Sequence, residues 1–349
     1  MTAIILHPET TAVAEALVRA VVDARARLAE RHRSGFLDAG ASVAHVISGA
    51  PDGISFGGRL RALAQPLPAG EGLVIMGSGA VPLATRRDRA RFVHAASSGA
   101  SGRALANNRY SADIVAIPDA RDILAKLPDL PTDNALPRWL TEVAGVPVDD
   151  VAGGWRLAVD IDTPLDLILL GGRWAAALDR GDRTRVEERL ARVREVTVDP
   201  MAELVLAGRT SPATLTWLTD VTASRTRALV EERGLRTTVP GQRPPASVLG
   251  LLLDRDGPGS LGDHLARLGE AAVVDTRVLL AHRCGPHQAL WPSDADRFAS
   301  DLLLHERIAD PWLRELTHAA ADARIPVILG AHSLVGPGLH LVLRTRSQR

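Results

Sequence analysis

"LAVDIDTPLDL", Leu157 to Leu167, places Asp160 and Asp162 two residues apart at the end of an apolar run and follows them with Thr163, Pro164 and Asp166. If the run is a strand, both carboxylates point to one face, because side chains alternate with a period of two. Two carboxylates on one face suit a divalent ion, which takes hard oxygen ligands. The residues after them have a local reading of their own. Thr163 suits a helix N-cap, Pro164 the first helical position, and Asp166 stands three residues after the cap in the manner of a capping box.

Working outward, short apolar runs alternate with helical spacing. Strands are expected at 2–7, 42–48, 72–78, 113–119 and 155–161. Helices are expected over 12–31, 86–96 and 164–179, with a short one after 119. Continuous apolar strands between helices indicate a mostly parallel, doubly wound α/β sheet, Rossmann-like, covered on both faces. Ligands on such sheets lie beyond the carboxyl ends of the strands, so the loops after His7, Ser48, Gly77, Asp119 and Asp160 form the candidate face. Residues 181–240 are charge-rich and read as a helical bridge, and "TVPGQRPPAS" (238–247) reads as a linker. Beyond it, 248–254, 271–282, 325–330 and 339–345 read as strands of a smaller C-terminal α/β unit, with helices from 260 and over 310–323. The expected division is 1–180, 181–240 and 241–349.

Composition limits the function classes. The 349 residues hold 46% hydrophobic side chains and 41 basic against 41 acidic residues, so no global nucleic-acid footprint exists. No apolar run approaches the roughly 20 residues of a membrane span, and the N-terminus lacks a basic leader. Cys284 is the single cysteine, which excludes an internal disulfide and a cysteine zinc site. A cytoplasmic protein is expected. Lys126 is the only lysine, so an anion site here uses arginine, backbone N–H groups or a metal.

Several segments carry binding chemistry. Gly77 and Gly79 flank Ser78 at a strand end, a possible backbone cradle for an anion. Asn107, Asn108, Arg109, Tyr110, Ser111 and Asp113 form the densest polar cluster, and Tyr110 is the only tyrosine. Amides beside an arginine suit a base or sugar edge and a phosphate, although such a cluster also makes self-bonded turns. Arg138 next to Trp139, and Arg156 next to Trp155, suit stacking on a ligand or cover for a core edge. His282 and His332 each follow an expected strand as candidate ligands or acid–base groups.

"DIDTPLDL" (160–167) resembles the D-x-(D/N)-T-P-x-D-L that closes the catalytic domain of the GT-A-like nucleotidyltransferases, among them the molybdenum-cofactor and 2-phospholactate guanylyltransferases. "GLVIMGSGAVPLA" (72–84) resembles their strand ending in (A/G)-D-x-P-L, in the right order. The resemblance covers about residues 1–175. It implies a nucleotide- or sugar-nucleotide-binding fold, Mg²⁺ or Mn²⁺ held by Asp160 and Asp162, and metal-assisted nucleotidyl or glycosyl transfer on a small phosphorylated or sugar-like substrate. In this sequence the family's metal aspartate, two residues before Pro82, is Ala80. The first strand runs into "HPETTAVAEALV" without the family's Gly-rich loop and its lysine. The alternative is therefore a catalytically silent nucleotide or sugar-nucleotide binder. A third reading takes 211–236, two helices about a turn at 222–224, as a helix-turn-helix DNA-binding regulator.

Overall fold

The structure, a computed structural model, describes residues 1–9, 15–49, 53–97, 102–130, 135–151, 154–231 and 245–344. It divides into two compact units, Met1–Ala14 with Val22–Ile161, and Glu15–Val21 with Asp162–Arg349. The boundary near residue 161 replaces the expected one at 180. Among the described residues no helix is long and apolar enough to cross a membrane.

The first unit runs β1 (Thr2–Pro8), α1 (Ala16–Asp38, whose residues up to Val21 group with the second unit), β2 (Val43–Gly49), α2 (Phe56–Ala64), β3 (Leu73–Gly77), α3 (Arg86–Ser97), β4 (Ala104–Ala106), β5 (Ile114–Ile117), α4 (Ala120–Leu124), α5 (Leu136–Glu142) and β6 (Val148–Asp150). Its sheet has the order β2-β1-β3-β5-β4-β6, and β5 alone runs antiparallel, to β3 on one side and β4 on the other. The strand alternation fills two cores. Ile4, Ile75, Val115 and Ile117 enter one cluster, while Ala3, Ile5, Val74, Met76, Ile114 and Ala116 enter another. Both faces are therefore covered, which is why these strands read as unbroken apolar runs.

The second unit runs α6 (Pro164–Leu170), α7 (Gly172–Ala175), α8 (Arg180–Thr197), β7 (Glu203–Gly208), α9 (Pro212–Val221), β8 (Arg225–Val230), α10 (Val248–Asp256), α11 (Leu261–Ala266), β9 (Ala271–Asp275), α12 (Thr276–Cys284), α13 (Asp294–Asp301), α14 (Pro311–Asp322), β10 (Val327–Gly330) and α15 (Leu339–Val342). Its sheet is parallel, in the order β10-β9-β7-β8.

Five expectations are corrected here. The helical bridge over 181–240 contains β7 and β8, so it is part of a sheet. The second helix of the helix-turn-helix reading is β8, paired in parallel with β7 from Glu203↔Arg225 to Gly208↔Val230, which removes that reading. The expected strand at 248–254 is α10, started by Ser247 accepting from the Gly250 N–H, and the one at 339–345 holds α15; residue 345 lies outside the described residues. A seven-residue apolar run fits a buried strand and a buried helix alike, and at 248–254 the Ser247 cap favours the helix. Lastly, 155–161 is a 3₁₀ turn at Trp155–Leu157 and a single bridge at Asp160, not a strand. Of the expected linker 238–247, residues 238–244 lie outside the described residues, as do 10–14 of the loop after β1.

The local reading of Thr163, Pro164 and Asp166 holds. The Thr163 side chain accepts from the Asp166 N–H, the Asp166 carboxylate accepts from the Thr163 N–H, and Pro164 occupies the first turn of α6.

Candidate functional site

The sheet order puts β2 on one side of β1 and β3 on the other. The chain leaves β1 in both directions, so the carboxyl ends of β1 and β3 form a topological switch point, where open α/β sheets open a crevice. The register pairs Leu6 with Gly77. One residue further, His7 Nδ1 stands 3.1 Å from Ser78 Oγ. Burial, then the charge of Arg25, lowers the His7 pKa from its ordinary value, while Glu9 opposes the shift. His7 is therefore neutral at pH 7.

Arg25, on α1, reaches the same place. Its Nε donates to the Ile161 carbonyl at 2.6 Å. Gly79 permits this approach, since a Cβ there would lie 2.8 Å from the Ile161 oxygen and 3.0 Å from Arg25 Nε. The Ile161 N–H donates to Gly79 O at 2.9 Å, and Ala80 pairs with Asp160 in an isolated antiparallel bridge.

The loop after β3 is clamped by cationic and imidazole donors on its carbonyls. His32 Nε2 donates to Ala80 O at 2.9 Å, Arg31 to Pro82 O at 3.2 Å and Arg156 to Leu83 O at 3.3 Å. His32 is fully buried, and burial with the neighbouring Arg89 pulls its pKa down to about 3. It is neutral, with its proton on Nε2 because Ala80 O can only accept. Val81 adopts φ +44°, a conformation a β-branched residue keeps only where the surroundings enforce it. The "GSGAVPLA" loop is thus a rigid shelf.

The structure brings Gly77, Ser78, Gly79 and Asp160 together with His7 and Arg25. Asp160 is buried, at 8% exposure. Asp162 falls in the second unit, where its N–H donates to Asp166 Oδ2 at 3.0 Å. With no strand through 160–162, the period-two argument for a shared carboxylate face does not apply. Among the described residues no group of three His, Cys, Asp or Glu side chains could hold a metal ion. Position 80 contributes a buried methyl, so beside Asp160 this turn carries no second carboxylate from that position.

The polar cluster is largely bonded to itself. Asn107 Nδ2 donates to Asp113 Oδ2 and to Leu157 O, each at 2.8 Å, and its Oδ1 accepts from the Asp113 N–H at 2.9 Å. Asn108 Oδ1 accepts from the Tyr110 N–H, and the Ser111 N–H donates to Asn108 O. Arg109 lies 3.5 Å from Asp150 and 5.0 Å from the centre of the exposed Tyr110 ring. Asp113 O accepts from the Gly77 N–H, which ties the cluster to the end of β3. Arg138 makes an exposed i,i+4 pair with Glu142, and Arg156 Nη2 also reaches the buried Asp88 at 3.4 Å. Asn107→Ala is expected to cost about 2 kcal/mol by stranding three polar partners. A urea midpoint unchanged from wild type would refute that structural role.

In the second unit, His282 Nε2 lies 2.9 Å from Asp254 Oδ2 while its Nδ1 accepts from the Ser247 N–H, so it braces α10.

Sequence reading missed His7 and Arg25. His7 had a signal, as the last inward position before a loop already placed on the candidate face. Arg25 had none, because it lies within a long helix and only packing brings it to Gly79. No protein-family model, no curated protein and no solved structure matches this chain.

Proposed function

We propose that residues 1–161 bind a nucleotide or sugar nucleotide at the carboxyl ends of β1 and β3, as a nucleotidyltransferase-like domain that binds without metal-assisted transfer. The observation that carries the reading is the pairing of Ala80 with Asp160. Those positions come from the two segments that resemble the GT-A-like nucleotidyltransferases, they lie side by side, and one of the two carboxylates is a methyl. The switch-point location and the clamped shelf support a ligand site there.

Metal-assisted nucleotidyl or glycosyl transfer is the second reading, favoured by the burial of Asp160, since desolvation strengthens a carboxylate's hold on a cation. Calorimetric titration with nucleoside triphosphates and sugar nucleotides, with and without Mg²⁺ or Mn²⁺, separates the two. Wild type and Asp160→Asn are expected to bind alike and without metal. Binding that needs metal, vanishes in Asp160→Asn and comes with release of pyrophosphate would establish the transferase. No binding of any of these ligands would overturn both.

A further inference from the structure

We propose that Arg25 of α1, with His7 of β1 beside it, forms the phosphate-binding subsite of this unit and takes the place of the Gly-rich, lysine-bearing loop that the chain lacks. The inference rests on the nucleotide-binding reading, but its chemistry, a diphosphate group, can be tested separately.

The charge of a phosphorylated ligand must be met at the switch point, and the chain's single lysine, Lys126, follows α4, which starts at the opposite, amino-terminal end of β3, where the Ala120 N–H donates to Glu71 O. Arg25 is a cation carried directly to the end of β3. The missing side chain at Gly79 leaves room for its Nε, and the bond from that Nε to Ile161 O holds the plane of the guanidinium, so the fork is pre-oriented. A partly buried, pre-oriented guanidinium suits phosphate better than a mobile surface arginine, because little side-chain freedom is lost on binding. Ser78, whose hydroxyl meets His7, and Gly79, where a Cβ would lie 3.0 Å from Arg25 Nε, are consecutive residues, and they bring the two groups to one turn. Ser78, at 2% exposure, has its hydroxyl on His7 Nδ1 and fixes the orientation of that ring. A neutral imidazole so held offers hydrogen bonding without adding charge. The groups come from four segments that only the fold brings together: the end of β1, the body of α1, the end of β3 and residues 160–161. The carbonyl clamps of Arg31, His32 and Arg156 keep the shelf between them in place.

Calorimetry on the full chain tests this with inorganic pyrophosphate, a nucleoside triphosphate and the corresponding nucleoside, against wild type, Arg25→Gln, Arg25→Lys and His7→Gln. Circular dichroism checks that each variant is folded. Arg25→Gln is expected to weaken pyrophosphate and triphosphate roughly tenfold to a hundredfold, the worth of a charge-assisted hydrogen bond, and to leave the nucleoside unaffected. Arg25→Lys, which keeps the charge without the fork, should fall in between, and His7→Gln should lose several-fold. Pyrophosphate binding that falls in Arg25→Gln while no nucleotide binds would keep the subsite and sink the nucleotide reading. Equal pyrophosphate affinity in wild type, Arg25→Gln and His7→Gln overturns the proposal, and so does absence of pyrophosphate binding to wild type.

Discussion

Arg277→Ala is expected to remove about 3–5 kcal/mol from the C-terminal unit, much of the roughly 5–15 kcal/mol that holds a domain folded. Arg277 follows β9 at the start of α12 and is buried, and its guanidinium makes a two-armed contact with Asp301, Nη1 on Oδ1 and Nη2 on Oδ2 at 2.7 Å. Nη1 also donates to Thr276 Oγ1 at 2.9 Å. Burial raises the Asp301 pKa from its ordinary value even with Arg277 beside it. Without the guanidinium, a carboxylate at 1% exposure has lost its counter-charge. The loss comes from that stranded charge more than from the missing attraction. Arg277→Met combined with Asp301→Leu should therefore recover most of the stability, because an apolar pair carries no desolvation penalty. Urea unfolding of the single and double variants measures this. A double variant no more stable than Arg277→Ala would contradict the account.

The second large effect depends on pH. Asp166 is buried in the α6 capping box, where its Oδ2 accepts from the Asp162 and Thr163 N–H groups and its Oδ1 from Ser333 Oγ at 3.2 Å. Burial, followed by the charge of Asp162, pushes its pKa up to about 7, against the lowering effect of those hydrogen bonds. A raised pKa means that the folded state holds the proton over a range where the unfolded chain has released it. The stabilisation is complete below about pH 4 and is lost as pH rises through about 7, a few kcal/mol across that range. Stability of the C-terminal unit is thus expected to fall between pH 4.5 and 7.5 (roughly the two ends of that window). In Asp166→Asn the slope should flatten. The amide oxygen can take over the capping bonds, and its NH₂ can donate to Ser333 Oγ. The same slope in wild type and Asp166→Asn would rule Asp166 out as the source.

The two halves of "LAVDIDTPLDL" were not equally legible. The cap at Thr163, Pro164 and Asp166 depends on contacts within four residues, so spacing alone reveals it. The reach of Asp166 to Ser333 spans 167 residues and has no local trace. The apolar run at 155–161 suits a strand, yet pairing partners decide strands, and only Asp160 finds one, at Ala80. β7 and β8 were hidden for the converse reason. Arg, Ala and Leu favour helices, but β8 is an edge strand whose conformation is set by its parallel pairing with β7. The polar cluster at 107–113 had the composition of a ligand grip, and much of its hydrogen bonding is spent within the chain, which composition cannot reveal.

By itself the sequence determined what local and compositional physics controls: an α/β chain with doubly covered strands, the helix start at Thr163, one cysteine and one lysine. The strand order was decided by tertiary structure, including the antiparallel β5 and the switch point between β1 and β3, because pairing joins segments far apart in the chain. The encounter of Arg25, His7, Ser78 and Asp160 was decided in the same way. The tenth residue of a helix, as Arg25 is of α1, carries no mark of which loop it will face. That depends on how α1 packs, and at Gly79 on the absence of a side chain that would have kept the arginine away.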